Sequence, residues 1–262
     1  PWGVGGVFGG EAFSELIYNK DSLQILSSGK EIPMVCLNNP SFLNYFQKWI
    51  DTVKEFNPDY IFFDEPHIFI DKKLENEGIF SCFCNFCQNQ FNNLFNEPMP
   101  KKFNQKIRMF QIKTVLNFVT KVSSYAKSKN LKTAITIYAI EDPDYEKFWE
   151  EVAKIQSLDV FGCDPYWRMR EIKSFDFVEK FIKKTQDTSK KYSKKSLIWI
   201  QAMNFPKKTE TEIIKVTEIL KRYDIDFVAA WSYDGGEILD NVKSDNPKKI
   251  QKILKNEFSK LR

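Results

Sequence analysis

Five short apolar runs, each followed by a stretch of helical period, constrain the fold of this chain more than any other feature. The runs are DYIFFDE (59 to 65), KTAITIYA (132 to 139), LDVFGCD (158 to 164), SLIWIQAM (196 to 203) and FVAAWSY (227 to 233). Short, almost continuously apolar strands suit a parallel sheet covered on both faces. Helices are expected over residues 42–56, 104–130, 144–156, 174–192, 209–223 and 246–260. In the first of these, Phe42, Tyr45, Phe46, Trp49, Ile50, Val53 and Phe56 recur at three- and four-residue steps and form one apolar face. Pro40 and Ser41 mark its start.

Strand–helix alternation predicts an α/β fold with a parallel sheet and right-handed crossovers. An open doubly wound sheet and the last five strands of a (β/α)8 TIM barrel both satisfy that pattern. Polar and aromatic residues stand at the C-terminal end of every run: Asp64 and Glu65, Tyr138, Asp164 and Tyr166, Gln201 and Asn204, Trp231 and Asp234. Such groups spread over many strand ends favour the barrel over a single nucleotide crevice. On this count DYIFFDE is the fourth barrel strand, and the opening PWG reads as a loop following a strand. The first three strands are then expected to be absent or to precede Pro1, and residues 1–262 read as one barrel domain lacking its N-terminal part.

Composition narrows the function classes. The net charge of +4 comes from Lys and Glu interspersed along helices, with no basic stripe, so nucleic acid is not an expected partner. No apolar run approaches the roughly 18 residues that cross a membrane. Gly3, Gly5, Gly6, Gly9 and Gly10 fit neither a dinucleotide fingerprint nor a phosphate loop. They read as a close-packed loop, or as one that presents Trp2, Phe8 and Glu11 to a substrate.

Three of the five cysteines form a Cys-x-Cys-x-x-Cys cluster in FSCFCNFCQNQF: Cys82, Cys84 and Cys87. They sit too close together to pair with one another as disulfides, and a metal is the better first reading. A tetrahedral zinc site needs a fourth ligand. Cys163 ends an apolar strand and reads as core, whereas Cys36 lies in MVCLNNPSF, a loop leading into a helix, and is free to reach the cluster. Four thiolates leave no open coordination position, so such a zinc would be structural. The plainer alternative is a set of reduced thiols without metal. Reduced thiolates holding a metal favour a cytoplasmic location. The single histidine, His67, rules against a His-rich catalytic metal site.

The segments CLNNPSFLNYFQKWI, FFDEP and CFCNFCQNQFNNLF together resemble the family 42 glycoside hydrolases, the β-galactosidases of the large retaining barrel clan. The likeness is closest over residues 33 to 92 and weaker in DVFGCDPYW; little-characterised barrel glycosidases sharing DEPH and the cysteine cluster are similar too. In family 42 a cysteine after the third strand joins a Cys-x-Cys-x-x-Cys cluster after the fourth to hold zinc. The resemblance therefore implies Cys36, Cys82, Cys84 and Cys87 as ligands. It also implies a carbohydrate substrate and an acid/base at Glu65, with Asp64 in place of the family's Asn.

The family's nucleophile, a Glu ending the seventh strand, has no counterpart here: the position offers Gln201, and an amide cannot attack as an anion. Asp164 after the sixth strand is the best substitute. In the α-galactosidase-like clan the nucleophile follows strand four and the acid follows strand six, a layout that Asp64 and Asp164 match by position. The expected catalytic groups are thus Asp64 or Glu65 together with Asp164, with Asp234 as a further candidate. Trp2, His67, Tyr138, Tyr166, Trp167, Gln201, Asn204, Trp231 and Asp234 are the expected substrate-binding set, since sugar rings stack on aromatics and amides orient hydroxyls. The missing nucleophile keeps open a non-catalytic carbohydrate-binding or scaffold barrel.

Overall fold

The computed structural model describes residues 22–172, 174–237 and 242–261, together with the backbone of residues 2–3. The chain divides into two compact units, Pro1–Ala134 with Ile155–Leu158, and Ile135–Lys154 with Asp159–Arg262.

The first unit holds, in chain order, β1 (Trp2–Gly3), β2 (Leu23–Ile25), β3 (Glu31–Val35), α1 (Pro40–Glu55), β4 (Ile61–Asp64), α2 (Lys72–Asn76), α3 (Asn85–Phe95) and α4 (Gln105–Ser128). The opening PWG is not a loop: Trp2 and Gly3 pair in parallel with Phe62 and Phe63 of β4. Strands β2 and β3 form an antiparallel pair that the apolar-run pattern did not announce. The segment after α2 runs along this pair. Ser27 N donates to Phe80 O at 2.8 Å and Phe83 N to Ile25 O at 2.6 Å.

The unit's core is aromatic. Phe42 stacks on Phe118 at 5.4 Å, and Phe46 meets both Phe118 (5.6 Å) and Phe63 of β4 (5.9 Å). Each such buried ring is worth roughly 1.5–3 kcal/mol in water transfer. Phe56, expected on the same face, is 76% exposed. It is in register with that face but is the C-cap residue of α1, one position past the last helical residue, Glu55, so the helix does not carry it inward.

The second unit contains most of β5 (Thr133–Tyr138), then α5 (Pro143–Ala153), β6 (Val160–Asp164), α6 (Asp176–Lys191), β7 (Lys195–Gln201), α7 (Glu212–Leu220), β8 (Phe227–Trp231) and α8 (Pro247–Phe258). Its strands lie in the order β5, β6, β7, β8. The β6–β7 and β7–β8 pairs are parallel, with Phe161 opposite Ser196 and Ile198 opposite Val228. Three helices start the same way. Asn39, Asp142 and Asn246 accept from Ser41 N (2.8 Å), Asp144 N (2.9 Å) and Lys249 N (3.3 Å), and each is followed by a proline that has no N–H to leave unsatisfied.

Strand periodicity decides where the terminal carboxylates point. In β4, Ile61 and Phe63 are buried on the side of α1, so Phe62 and Asp64 lie on the opposite face. In β6, Phe161 packs on Trp149 of α5 at 5.4 Å, and Cys163 accepts a hydrogen bond from Thr185 of α6 at 3.4 Å. Val160, Gly162 and Asp164 therefore occupy the face turned from the helices. Gly162 permits a close approach there: a Cβ would lie 2.7 Å from Leu197 O.

Candidate functional site

In the first unit the four cysteines predicted to act together do converge. The sulfurs of Cys36, Cys82, Cys84 and Cys87 lie within 4.8 Å of one another, and all four residues are buried. Cys36 Sγ is 3.5 Å from both Cys84 Sγ and Cys87 Sγ, too far for a disulfide. Four sulfurs bonded at about 2.3 Å to one tetrahedral ion stand about 3.8 Å apart, so this spacing fits a metal.

Each thiol is brought in by a different local device. Cys36 follows β3, its N–H donating to Ser22 O at 2.8 Å. Cys84 is the N-cap residue of α3, and Cys87 sits in that helix's first turn. Cys82 belongs to the segment hydrogen-bonded along β2. That segment is fixed by buried side chains: Gln111 Nε2 donates to Ser81 O at 2.5 Å, and Ser81 Oγ donates to Gln24 Oε1 at 2.9 Å. Arg108 supports Gln111 at 2.8 Å and pairs with Glu75 at 2.6 Å. Asn38 Nδ2 reaches Cys87 Sγ at 3.3 Å and Thr114 Oγ1 at 3.2 Å, an N–H donor aimed at a sulfur.

Hydrogen bonds from Cys36, Cys82 and Cys87 hold the Cys84 thiol far below its ordinary range. Contacts with Cys82 and Cys84, together with burial, push Cys36 up; contacts with Cys36 and Cys82, again with burial, push Cys87 up. The Cys84 thiol is thus the one favoured as a thiolate, while Cys36 and Cys87 are disfavoured. A divalent ion at the centre favours all four as thiolates. Cys163 is apart from the cluster, a buried thiol whose pKa burial raises.

At the end of β4, Asp64 and Glu65 are half-buried. Glu65 takes φ +43°, a left-handed conformation uncommon for a residue with a Cβ, so the chain turns there and strand alternation stops. His67 Nδ1 is 2.5 Å from Glu65 O. Burial lowers the His67 pKa, while that carbonyl contact raises it in part. The imidazole is accordingly neutral at pH 7, with the proton on Nδ1 and the lone pair on Nε2.

In the second unit Asp164 ends β6 at 5% exposure. Tyr166 and Tyr138 are half-buried. Trp167 is only 3% exposed; its ring packs against Phe175 (5.8 Å) and Phe205 (5.8 Å), and its Nε1 donates to Glu212 at 2.8 Å, so in this structure it is a packing residue. Gln201 is fully buried, its Oε1 accepting from Arg168 N (2.9 Å) and its Nε2 donating to Met203 O (2.9 Å). Asn204 is exposed at φ +60°. Trp231 is half-buried at the end of β8. Asp234 caps the turn beyond it, accepting from Gly236 N at 3.0 Å and from Ser232 Oγ, and the Ser232 hydroxyl holds its carboxyl below the usual range. The Trp2 side chain, Phe8, Glu11 and the glycines after Gly3 lie outside the described residues.

Sequence reasoning missed Arg168, Arg170 and Glu212. Arg168 Nε donates to Glu212 Oε2 at 2.8 Å and its Nη2 pairs with Glu212 Oε1. The Arg170 guanidinium lies 5.8 Å from the centre of the Tyr138 ring. The WRMR string after the sixth strand was the available signal.

No protein-family model matches the chain, and no curated protein matches it in sequence. Solved structures do share its fold. The catalytic domain of β-amylase from Paenibacillus polymyxa gives a TM-score of 0.55 at 6% identity, over 81% of this chain and 68% of that one. The glycoside hydrolase domain of PgaB (BpsB) from Bordetella bronchiseptica gives 0.52 at 9% identity, over 84% of this chain and 63% of that one. The chain thus spans about two thirds of either domain. At these identities the likeness concerns the fold, an α/β partial (β/α)8 barrel, and does not single out family 42 among barrel glycosidases.

Proposed function

We propose that the chain is the carbohydrate-active part of a glycoside hydrolase, with Asp64 and Asp164 as its reacting carboxyls. One observation carries the reading: each of these aspartates ends a parallel strand and lies on the strand face turned from the helices. The glycosidase domains that share the fold support the same reading. Glycoside hydrolysis requires one carboxyl to protonate the leaving oxygen and a second, ionised, to attack the anomeric carbon or to activate water. Asp64 takes the ionised role and Asp164 the acid role, the order of the α-galactosidase-like layout. Glu65 stays the second candidate after strand four, with His67 beside it to orient a hydroxyl.

The four cysteines hold zinc in this proposal. The donor set is soft, closed and buried, so the ion would clamp the loop before α1 to the loop before α3 and take no part in the chemistry. The thiolates it requires favour a reducing, cytoplasmic compartment.

Aryl glycosides of both anomeric configurations test the catalytic claim on wild type and on Asp64→Asn, Glu65→Gln and Asp164→Asn. Loss of roughly a thousandfold in kcat is expected for the two aspartate variants. A second reading, a carbohydrate-binding barrel without catalysis, draws on Gln201, the fully buried amide at the end of β7 where the resembled family has its nucleophile. Absence of hydrolysis by wild type, with oligosaccharide binding unchanged in all three variants, would favour that reading.

A further inference from the structure

We propose that Arg170 reads a negative charge on the sugar, so that the glycan handled at the end of β6 is acidic, a uronic acid or a sulfated sugar. The inference rests on the carbohydrate reading above and adds the substrate's charge to it.

Two arginines leave β6 two residues apart and meet different fates. Arg168 is neutralised: Glu212 clamps its guanidinium through both carboxylate oxygens. Arg170 forms no ion pair with any described carboxylate and lies over the face of Tyr138 instead. A guanidinium seated on a ring keeps its N–H edge for another partner, and that edge matches a carboxylate or sulfate bidentately. Tyr138 ends β5, and Asp164, six residues before Arg170, ends the neighbouring β6. The charge is therefore placed at the strand ends that carry the proposed chemistry. Its field also reaches Cys163, the residue before Asp164, where it lowers the thiol's pKa against the larger effect of burial.

Hydrogen bonds on either side fix the backbone that carries this charge. Trp167 is buried and tied to Glu212, and Arg168 N is tied to Gln201. Ile172 N donates back to Trp167 O at 2.8 Å and Glu171 N to Arg168 O at 3.1 Å, closing a turn around positions 169 and 170. Glu171 completes it at φ +55°. A cation on a fixed backbone and against a ring loses less freedom on binding than one on a free loop, which favours charge recognition.

The test compares 4-nitrophenyl glucuronides and galacturonides with the corresponding glucosides and galactosides and with their 6-sulfates, in both anomeric forms. The readout is the acidic-to-neutral ratio of kcat/KM in wild type, Arg170→Gln, Arg170→Lys and, as a control for net charge, Lys101→Gln. A parallel titration follows tryptophan fluorescence with uronic-acid trisaccharides and neutral trisaccharides of the same linkage. The expected result is a wild-type preference for an acidic substrate that falls roughly thirtyfold in Arg170→Gln, the scale of a hydrogen-bonded charge. Arg170→Lys should recover part of it and Lys101→Gln should leave it intact; the uronide and sulfate arms show which group carries the charge. Acidic trisaccharide binding lost in Arg170→Gln without hydrolysis by any protein would uphold this inference and defeat the catalytic reading. Cleavage of neutral glycosides with the same ratio in wild type and Arg170→Gln would overturn the inference and leave the glycosidase standing. No cleavage and no binding of any of these sugars would overturn both.

Discussion

The loop after β4 and the loop after β6 follow strands that both end in aspartate, yet they are fixed in opposite ways. Beyond β4, the path to α3 carries sulfur: Cys82, Cys84 and Cys87 converge on Cys36 from a segment far away in the chain, the site where a metal is proposed. Beyond β6, the turn is held by ordinary polar bonds, Arg168 and Trp167 to Glu212 and Arg168 N to Gln201. With zinc bound as proposed, the sulfur clasp would be cooperative, because three thiolates do not make a closed tetrahedral site and the binding free energy is also folding free energy. The polar lock is a set of separate bonds, each of which can be lost alone.

The contrast breaks most visibly at Cys84. Wild-type protein purified under reducing conditions is expected to carry about one zinc per chain by elemental analysis. Cys84→Ser should carry little or none and lose more than about 4 kcal/mol of stability, the range reached when a structural metal is lost. A metal-free wild type, or a Cys84→Ser protein with an unchanged urea midpoint, would leave the cluster as four buried thiols and the two loops alike in how they are fixed.

The corresponding change in the lock is Glu212→Gln. The amide oxygen still accepts from Trp167 Nε1, but Arg168 loses its anion. The two side chains are 23% and 22% exposed, so solvent screens part of the loss and roughly 1–2 kcal/mol is expected. Metal content should not change. A loss as large as that of Cys84→Ser would mean that the lock is also cooperative.

How each region could be read from sequence follows from the same physics. The clasp was legible because four soft ligands with short spacings have few other uses, and Cys36 was legible because a proline-started helix follows its loop. The strands were legible from their apolar runs, and α1, α5 and α8 carried their Asn-Pro or Asp-Pro starts in plain sight. The β2–β3 pair was not: Pro33 interrupts β3, and proline argues against a strand. The lock was not legible either. Arg168 and Glu212 are 44 residues apart, and no spacing rule pairs an arginine with a glutamate across a crossover. Tryptophan at a strand end suits a sugar platform or core packing alike, and no spacing rule announces that Phe175 and Phe205 surround Trp167.

The smallest expected effect sharpens the comparison through pH. His67 is the chain's single histidine and lies two residues beyond Glu65; the lock after β6 has none. Burial holds the folded-state pKa of His67 below 6.5, the value it has when exposed. Between those two values the unfolded chain binds a proton that the folded chain does not, so stability rises with pH across this window. The contribution of His67 is complete above about pH 6.5 and is lost as pH falls below it. Asparagine in its place can still donate to Glu65 O, but it does not titrate. His67→Asn should therefore flatten the stability profile below about pH 6.5 while leaving the urea midpoint above it close to wild type. Profiles should be taken with zinc in excess, because protons also compete for the thiolates, and only the difference between the two proteins isolates the imidazole. A wild-type slope that survives unchanged in His67→Asn would assign the pH sensitivity of this loop to the sulfur clasp instead.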